Sequence, residues 1–141
     1  MMRADMMPLE ADLREKTQHG TSAFPFQYYA DALYKYNSQF IPQHWHSELE
    51  FFAVYHGEVQ VQVWDKLVTL KNGECIFLNV NTLHSFQQLH PEDQCVCPNI
   101  VFSDELIAPA TSTINKKYIK PVTLDEGLPF IALQRGIPWQ E

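Results

Sequence analysis

Between Glu58 and Trp64 apolar and polar residues strictly alternate, Val59, Val61 and Val63 against Gln60, Gln62 and Trp64. Successive strand side chains point to opposite sides, so this period of two writes a strand with one apolar and one polar face. Similar short runs, rich in aromatic and β-branched residues, recur on both sides of it. Residues 49–55 end at His56-Gly57, a tight-turn pair, and residues 67–70 follow Asp65-Lys66. Asn72-Gly73 is among the strongest hairpin signals known. Then come residues 75–78, a polar turn over 79–82, and two further runs at 83–89 and 94–102. Strands eight to twelve residues apart, with such turns between them, predict an all-β sandwich or barrel rather than a βαβ fold.

The chain has 141 residues, 45% of them hydrophobic and 19% charged, which suits one domain with one core. A polar stretch over residues 1–22 reads as a flexible amino-terminal arm, with a helical hint at 9–16, and residues 23–141 as the folded domain. After the β region, Ser103-Asp104-Glu105 has the form of a helix N-cap, and residues 114–120 suit a short helix before Pro121. Residues 130–133 can return as a strand, and Pro138-Trp139-Gln140-Glu141 resembles the opening of a further helix.

Charge excludes some functions. A net charge of −7 disfavours a duplex-binding surface, which needs clustered Lys and Arg. Lys116, Lys117 and Lys120 read as the solvated face of a helix. No apolar run is long enough for a membrane span, and no signal peptide opens the chain, so cytoplasmic residence is expected. Cys95 and Cys97 would share one strand face, a weak zinc signal against the reading of small core residues.

The chemistry concentrates in His44-Trp45-His46-Ser47-Glu48-Leu49-Glu50, where two histidines and a glutamate stand at even spacing. On one extended strand, residues 44, 46 and 50 would face the same side. A hairpin-rich barrel can bring His84 across to join them. Three imidazoles and a carboxylate suit a borderline divalent cation such as Zn, Fe, Mn, Ni or Co. The alternative is that they hydrogen-bond an effector or core groups without metal.

These residues resemble the cupin motifs, G-x5-H-x-H-x3,4-E-x6-G and G-x5-P-x-G-x2-H-x3-N. The first matches from His44 through Gly57, with Ser38 where the leading glycine stands. In the second, Gly73 and His84 match, while Asn79, Asn81 and Gln88 replace the proline, glycine and asparagine. The wording around the motifs, Asn72-Gly73-Glu74, Phe77-Leu78-Asn79 and Leu83-His84-Ser85-Phe86, is similar to the amino-terminal sensor domains of AraC-type transcription regulators. That resemblance implies a cupin (jelly-roll-like) barrel with short carboxy-terminal helices, a pocket for a sugar or other small polar effector, an arm able to respond to it, and a homodimer. It implies that DNA is reached only through a helix-turn-helix domain outside this chain. The resemblance to cupins also allows a stand-alone metal-dependent dioxygenase or isomerase, although no acid, base or nucleophile beyond the four ligands is marked out and no catalytic residue is assigned.

Gln60, Gln62 and Trp64 would contact an effector if their face is the inner one. If Val59, Val61 and Val63 fill the interior, the glutamines are solvated. Trp45 should point away from His44 and His46, onto a helix or the arm. Phe24, Phe26, Tyr28 and Tyr29 suit core packing near the barrel mouth, and His56 and His90 suit solvated turns.

Overall fold

The computed structural model describes residues 7–141. Among them the chain forms nine strands: β1 (Phe26–Ala32), β2 (Phe40–His44), β3 (Leu49–Ala53), β4 (Glu58–Val63), β5 (Lys66–Lys71), β6 (Cys75–Leu78), β7 (His84–Gln88), β8 (Val96–Phe102) and β9 (Phe130–Leu133). They make two antiparallel sheets, ordered β1-β8-β3-β6-β9 and β2-β7-β4-β5. The class is all-β and the architecture is the cupin fold.

The inner faces of both sheets supply one core. Val59, Val61, Val63, Ile41, Leu70 and Phe86 come from one sheet, and Phe52, Ile76, Leu78 and Cys97 from the other. The Phe52 and Phe86 rings stack at 3.8 Å across the sandwich. A second apolar cluster, Leu49, Phe77 and Phe102 with Phe51, Ile131 and Val122, covers the outer face of the five-stranded sheet. Val122 belongs to α1 (Lys120–Thr123), so the helical segment after the barrel is packed on that face.

Several expectations change here. Asn72-Gly73 does not close a hairpin, because β5 and β6 lie in different sheets. The dipeptide supplies the left-handed backbone of a corner, with Gly73 at φ 84° and its N–H donating to Val54 O at 2.8 Å. Turn chemistry fixes a positive φ, not the sheet that the next strand joins. The tight hairpin instead joins β4 and β5 at Trp64-Asp65, with Trp64 at φ 53°.

The helical hint at 9–16 fails as well. Leu9 bridges Glu15 antiparallel, Glu10 N–H donates to Arg14 O, and Arg14 bridges Trp45, so the segment is a tight turn laid against the barrel. Bonds within the turn and to Trp45 replace the i→i−4 bonds of a helix. Residues 7–22 are the described part of the arm, and Glu15 and His19 within it are buried. Carboxy-terminal to β8, the expected helix before Pro121 does not stop there: a π-turn at Asn115–Ile119 runs into α1, with Pro121 the second residue of α1. The Ser103 cap opens a single 3₁₀ turn, its side chain accepting from Glu105 N–H. Pro138 opens another.

Candidate metal centre

Residues 44, 46 and 50 do not share one strand. His44 ends β2 in the four-stranded sheet, Glu50 lies on β3 in the other, and His46 sits in the connection that crosses between them. His84 opens β7 directly opposite His44. The four therefore meet where the two sheets approach, not along one strand face.

Their ligand atoms all lie within 4.8 Å of one another, and all four residues are buried. His46 Nε2 is 2.9 Å from Glu50 Oε2, and His84 Nε2 is 3.3 Å from the same oxygen, though out of line for a hydrogen bond. The His44 and His84 rings are 4.3 Å apart.

The other nitrogen of each ring is tied to backbone. Nδ1 of His44 donates to Pro42 O at 2.7 Å, that of His84 to Thr82 O at 2.7 Å, and that of His46 to Glu48 O at 3.1 Å. With Nδ1 fixed as donor, every Nε2 turns to the common point, as outer partners do for metal-ligating histidines. His44 Nε2, His84 Nε2 and Glu50 Oε1 are buried with no hydrogen-bond partner. Three orphaned acceptors at one buried point are costly unless something electropositive stands between them. The donor set fits a divalent cation, and the four residues form a group able to hold one.

Electrostatics agree with this arrangement. Burial, with His84 beside it, lowers the pKa of His44 to about 3, so its imidazole is neutral. Burial also pulls on His46, but the Glu50 carboxylate outweighs it and leaves His46 raised. As an imidazolium His46 donates from both nitrogens, and that proton lies where a cation would. Burial would lift Glu50, yet the hydrogen bond from His46 and the proximity of His84 hold it well below its ordinary value.

The eroded motif positions are explained by their backbone. Ser38 and Asn81, standing for glycines, sit at φ 55° and 57° in the left-handed region, which short polar side chains tolerate best after glycine. Asn81 N–H donates to His46 O at 2.8 Å, which fixes the connection carrying His46. Asn79, standing for the proline, donates from Nδ2 to Val122 O and Leu128 O and so ties the carboxy-terminal segment to the barrel. Gln88 donates to His90 O and Asp93 O.

Gln60, Gln62 and Trp64 are not brought to the centre. Val59, Val61 and Val63 are fully buried and face the interior, so the opposite face of β4 points outward, with Trp64 52% exposed. An interior effector contact for these three is therefore corrected. Trp45 packs on the arm as expected, its Nε1 donating to Asp12 O and Arg14 lying over its ring. Tyr29 is buried, while Phe24 and Tyr28 are largely exposed and so depart from core packing. Cys95 and Cys97 are buried core residues. His56 and His90 lie at the surface.

Sequence reasoning missed Glu15, His19 and Tyr29. His19 bonds Tyr29 Oη through Nδ1 and Glu15 Oε2 through Nε2, both at 2.7 Å, and its ring lies edge-on to His46 at 5.4 Å. The four-residue spacing of Glu15 and His19 in a polar arm carried no burial signal.

Fold and site together give a barrel of the cupin fold with a buried group of three histidines and one glutamate. A cupin-domain family model matches residues 33–101. The chain is 25% identical over 136 residues to an HTH-type transcriptional regulator of Bacillus subtilis (strain 168), YdeC, itself described as uncharacterized. That match takes in 93% of this chain and 44% of the regulator, so the chain spans less than half of its relative's length. Among solved structures it is similar to the cupin domain of Schizosaccharomyces pombe Cnp3, with 10% identity, coverage of 63% and 64% of the two chains and a TM-score of 0.46. It is also similar to a predicted oxalate decarboxylase of Thermotoga maritima, with 23% identity, coverage of 45% and 56% and a TM-score of 0.41. No helix among the described residues is long and apolar enough to cross a membrane.

Proposed function

We propose that this chain is the effector-sensing half of an AraC-type transcription regulator, a cupin barrel built around a divalent metal held by His44, His46, Glu50 and His84. The observation that carries the metal is the convergence of three buried, unpartnered acceptor atoms on one point. The likeness to a helix-turn-helix regulator that extends well beyond the matched region supports the sensor role.

In this reading the protein does no chemistry on its ligand. A small polar compound binds beside the metal, shifts the arm between two states, and so alters a DNA-binding domain elsewhere in the regulator. The metal is Zn, Fe, Mn or Ni, and it would supply a Lewis-acidic point of attachment. The chain's own residues do the rest: Pro42, Thr82 and Glu48 carbonyls orient the imidazoles, and the apolar core behind them excludes water. A homodimer and cytoplasmic residence belong to the same proposal. The segment after β8 leaves Ile114, Tyr118 and Leu124 more than half exposed, a surface a second subunit could cover.

The test is a thermal-shift screen of metal-loaded protein against sugars, organic acids and aromatic compounds, with the fate of each hit followed by mass spectrometry. Saturable stabilisation with the compound recovered unchanged supports the sensor. Consumption of the compound would contradict it and make the chain a metal-dependent cupin enzyme.

A further inference from the structure

Of the charged groups outside the four-residue centre, Glu15 acts on it from the arm. It is 5% exposed, and the His19 ring that it bonds at 2.7 Å lies edge-on to the His46 ring at 5.4 Å. The arm thus carries a carboxylate to the rim of the centre and holds it there through His19, which is itself held by Tyr29. A neutral imidazole can accept from the tyrosine hydroxyl at Nδ1 and donate to the carboxylate from Nε2. The relay Tyr29–His19 is in effect a built receptor for one carboxylate group, and the arm occupies it.

Charge balance says what an external occupant would be. Three neutral imidazoles, the Glu50 carboxylate and a divalent cation sum to +1, which the Glu15 carboxylate brings to zero while the arm is seated, so an occupant that displaces Glu15 has that charge to replace. An unbalanced buried charge is costly, and four protein donors leave room for one or two more. An anion answers both needs, whereas a neutral sugar can supply oxygen ligands but leaves the charge unbalanced.

The arm meets the barrel beside this point. Its described attachment at this point is the bonds of Glu15 N–H to Trp45 O at 2.9 Å, Trp45 N–H to Leu13 O at 3.2 Å and Trp45 Nε1–H to Asp12 O at 3.0 Å, with Arg14 over the indole. A groove that holds Arg14 and Lys16 together with the carboxylates of Glu10, Asp12, Glu15 and Glu48 runs beside these bonds and reaches His46, one of the candidate ligands.

We propose that the ligand of this centre is a small carboxylate, which binds next to the metal, takes the His19 hydrogen bond, and competes with Glu15 for it. The inference rests on the metal reading above. Glu15 is then an internal competitor whose displacement accompanies effector binding, and His19 and Tyr29 are residues that set ligand class.

The experiment uses protein loaded with Co(II), its metal content measured first. Acetate and pyruvate are titrated against the visible spectrum of the cobalt, with glucose as the neutral comparison. Wild type, Glu15→Gln and His19→Ala are compared after circular dichroism establishes that each is folded. The two carboxylates should perturb the spectrum saturably and glucose should not. Glu15→Gln should bind them about tenfold more tightly, having lost the competing charge, and His19→Ala about tenfold more weakly, having lost a charge-assisted hydrogen bond. A variant that fails to fold leaves the wild-type titration and the other variant to decide. A protein that loads no metal overturns both the metal reading and this inference. A protein that loads metal but responds to glucose alone, to nothing, or equally in all three forms, overturns the carboxylate inference and leaves the metal reading standing.

Discussion

His46 is the residue whose proton must leave before a metal can bind. Its pKa is raised above 6.5 by Glu50, whereas burial keeps His44 neutral down to about pH 3. Metal affinity should therefore keep rising as pH increases above 6.5, until the raised His46 pKa is passed, with release of about one proton per ion. The sign follows from the raised value: below it His46 holds its proton and competes with the cation. Isothermal titration of Zn(II) in two buffers of different ionisation enthalpy reads that proton directly, and an affinity flat from pH 6 to 8 would contradict the assignment. The candidate ligands were legible residue by residue because H-x-H-x3-E is a pattern of residue types. Glu15 and His19 were not, since nothing in a polar arm foretells that a barrel mouth will bury it.

Asn79 shows what an element-level reading gains from structure. It stands at a motif position where proline is usual, and sequence alone left it as a turn residue. Its Nδ2 joins the β6–β7 turn to Val122 at the end of the helical segment and to Leu128 ahead of β9. Asn79→Ala would remove two part-buried hydrogen bonds, leaving Leu128 O without this donor while Val122 O keeps the Asp125 N–H, at a cost of about 2 kcal/mol. The melting temperature should fall by about 6 °C on a chain of this size, while metal content stays unchanged. A loss of metal in that variant would mean that the turn holds the centre as well. Most strand positions were readable from alternation, and β6 and β9 fall on the expected residues. Sheet membership was not readable: the turn at Asn72-Gly73 has hairpin chemistry but carries the chain from one sheet to the other. The β2 strand also went unread, because Pro42 and its polar neighbours mask the pattern. The even spacing of His44, His46 and Glu50 then invited a single strand where the chain in fact crosses between sheets.

At the scale of the whole molecule, the barrel brings two distant segments, 44–50 and His84, to one buried point and lays the arm across it. The fold could be anticipated from short strands, turns and motif spacing together. The inward face of β4 could not, because alternation gives two faces and does not say which is inside; the valines settle it. Burying three imidazoles and a carboxylate makes sense for this molecule only if they act together on something bound. His46→Ala combined with His84→Ala should leave the barrel folded, as judged by circular dichroism, because the Phe52–Phe86 core lies behind the centre and not through it. The most direct test is elemental analysis of wild type and this double variant by plasma mass spectrometry, before and after reconstitution with Zn, Mn, Fe and Ni. The account predicts close to one metal ion per chain in the wild type and none in the variant. Equal metal in both proteins, or a wild type that takes up none under any condition, would contradict it.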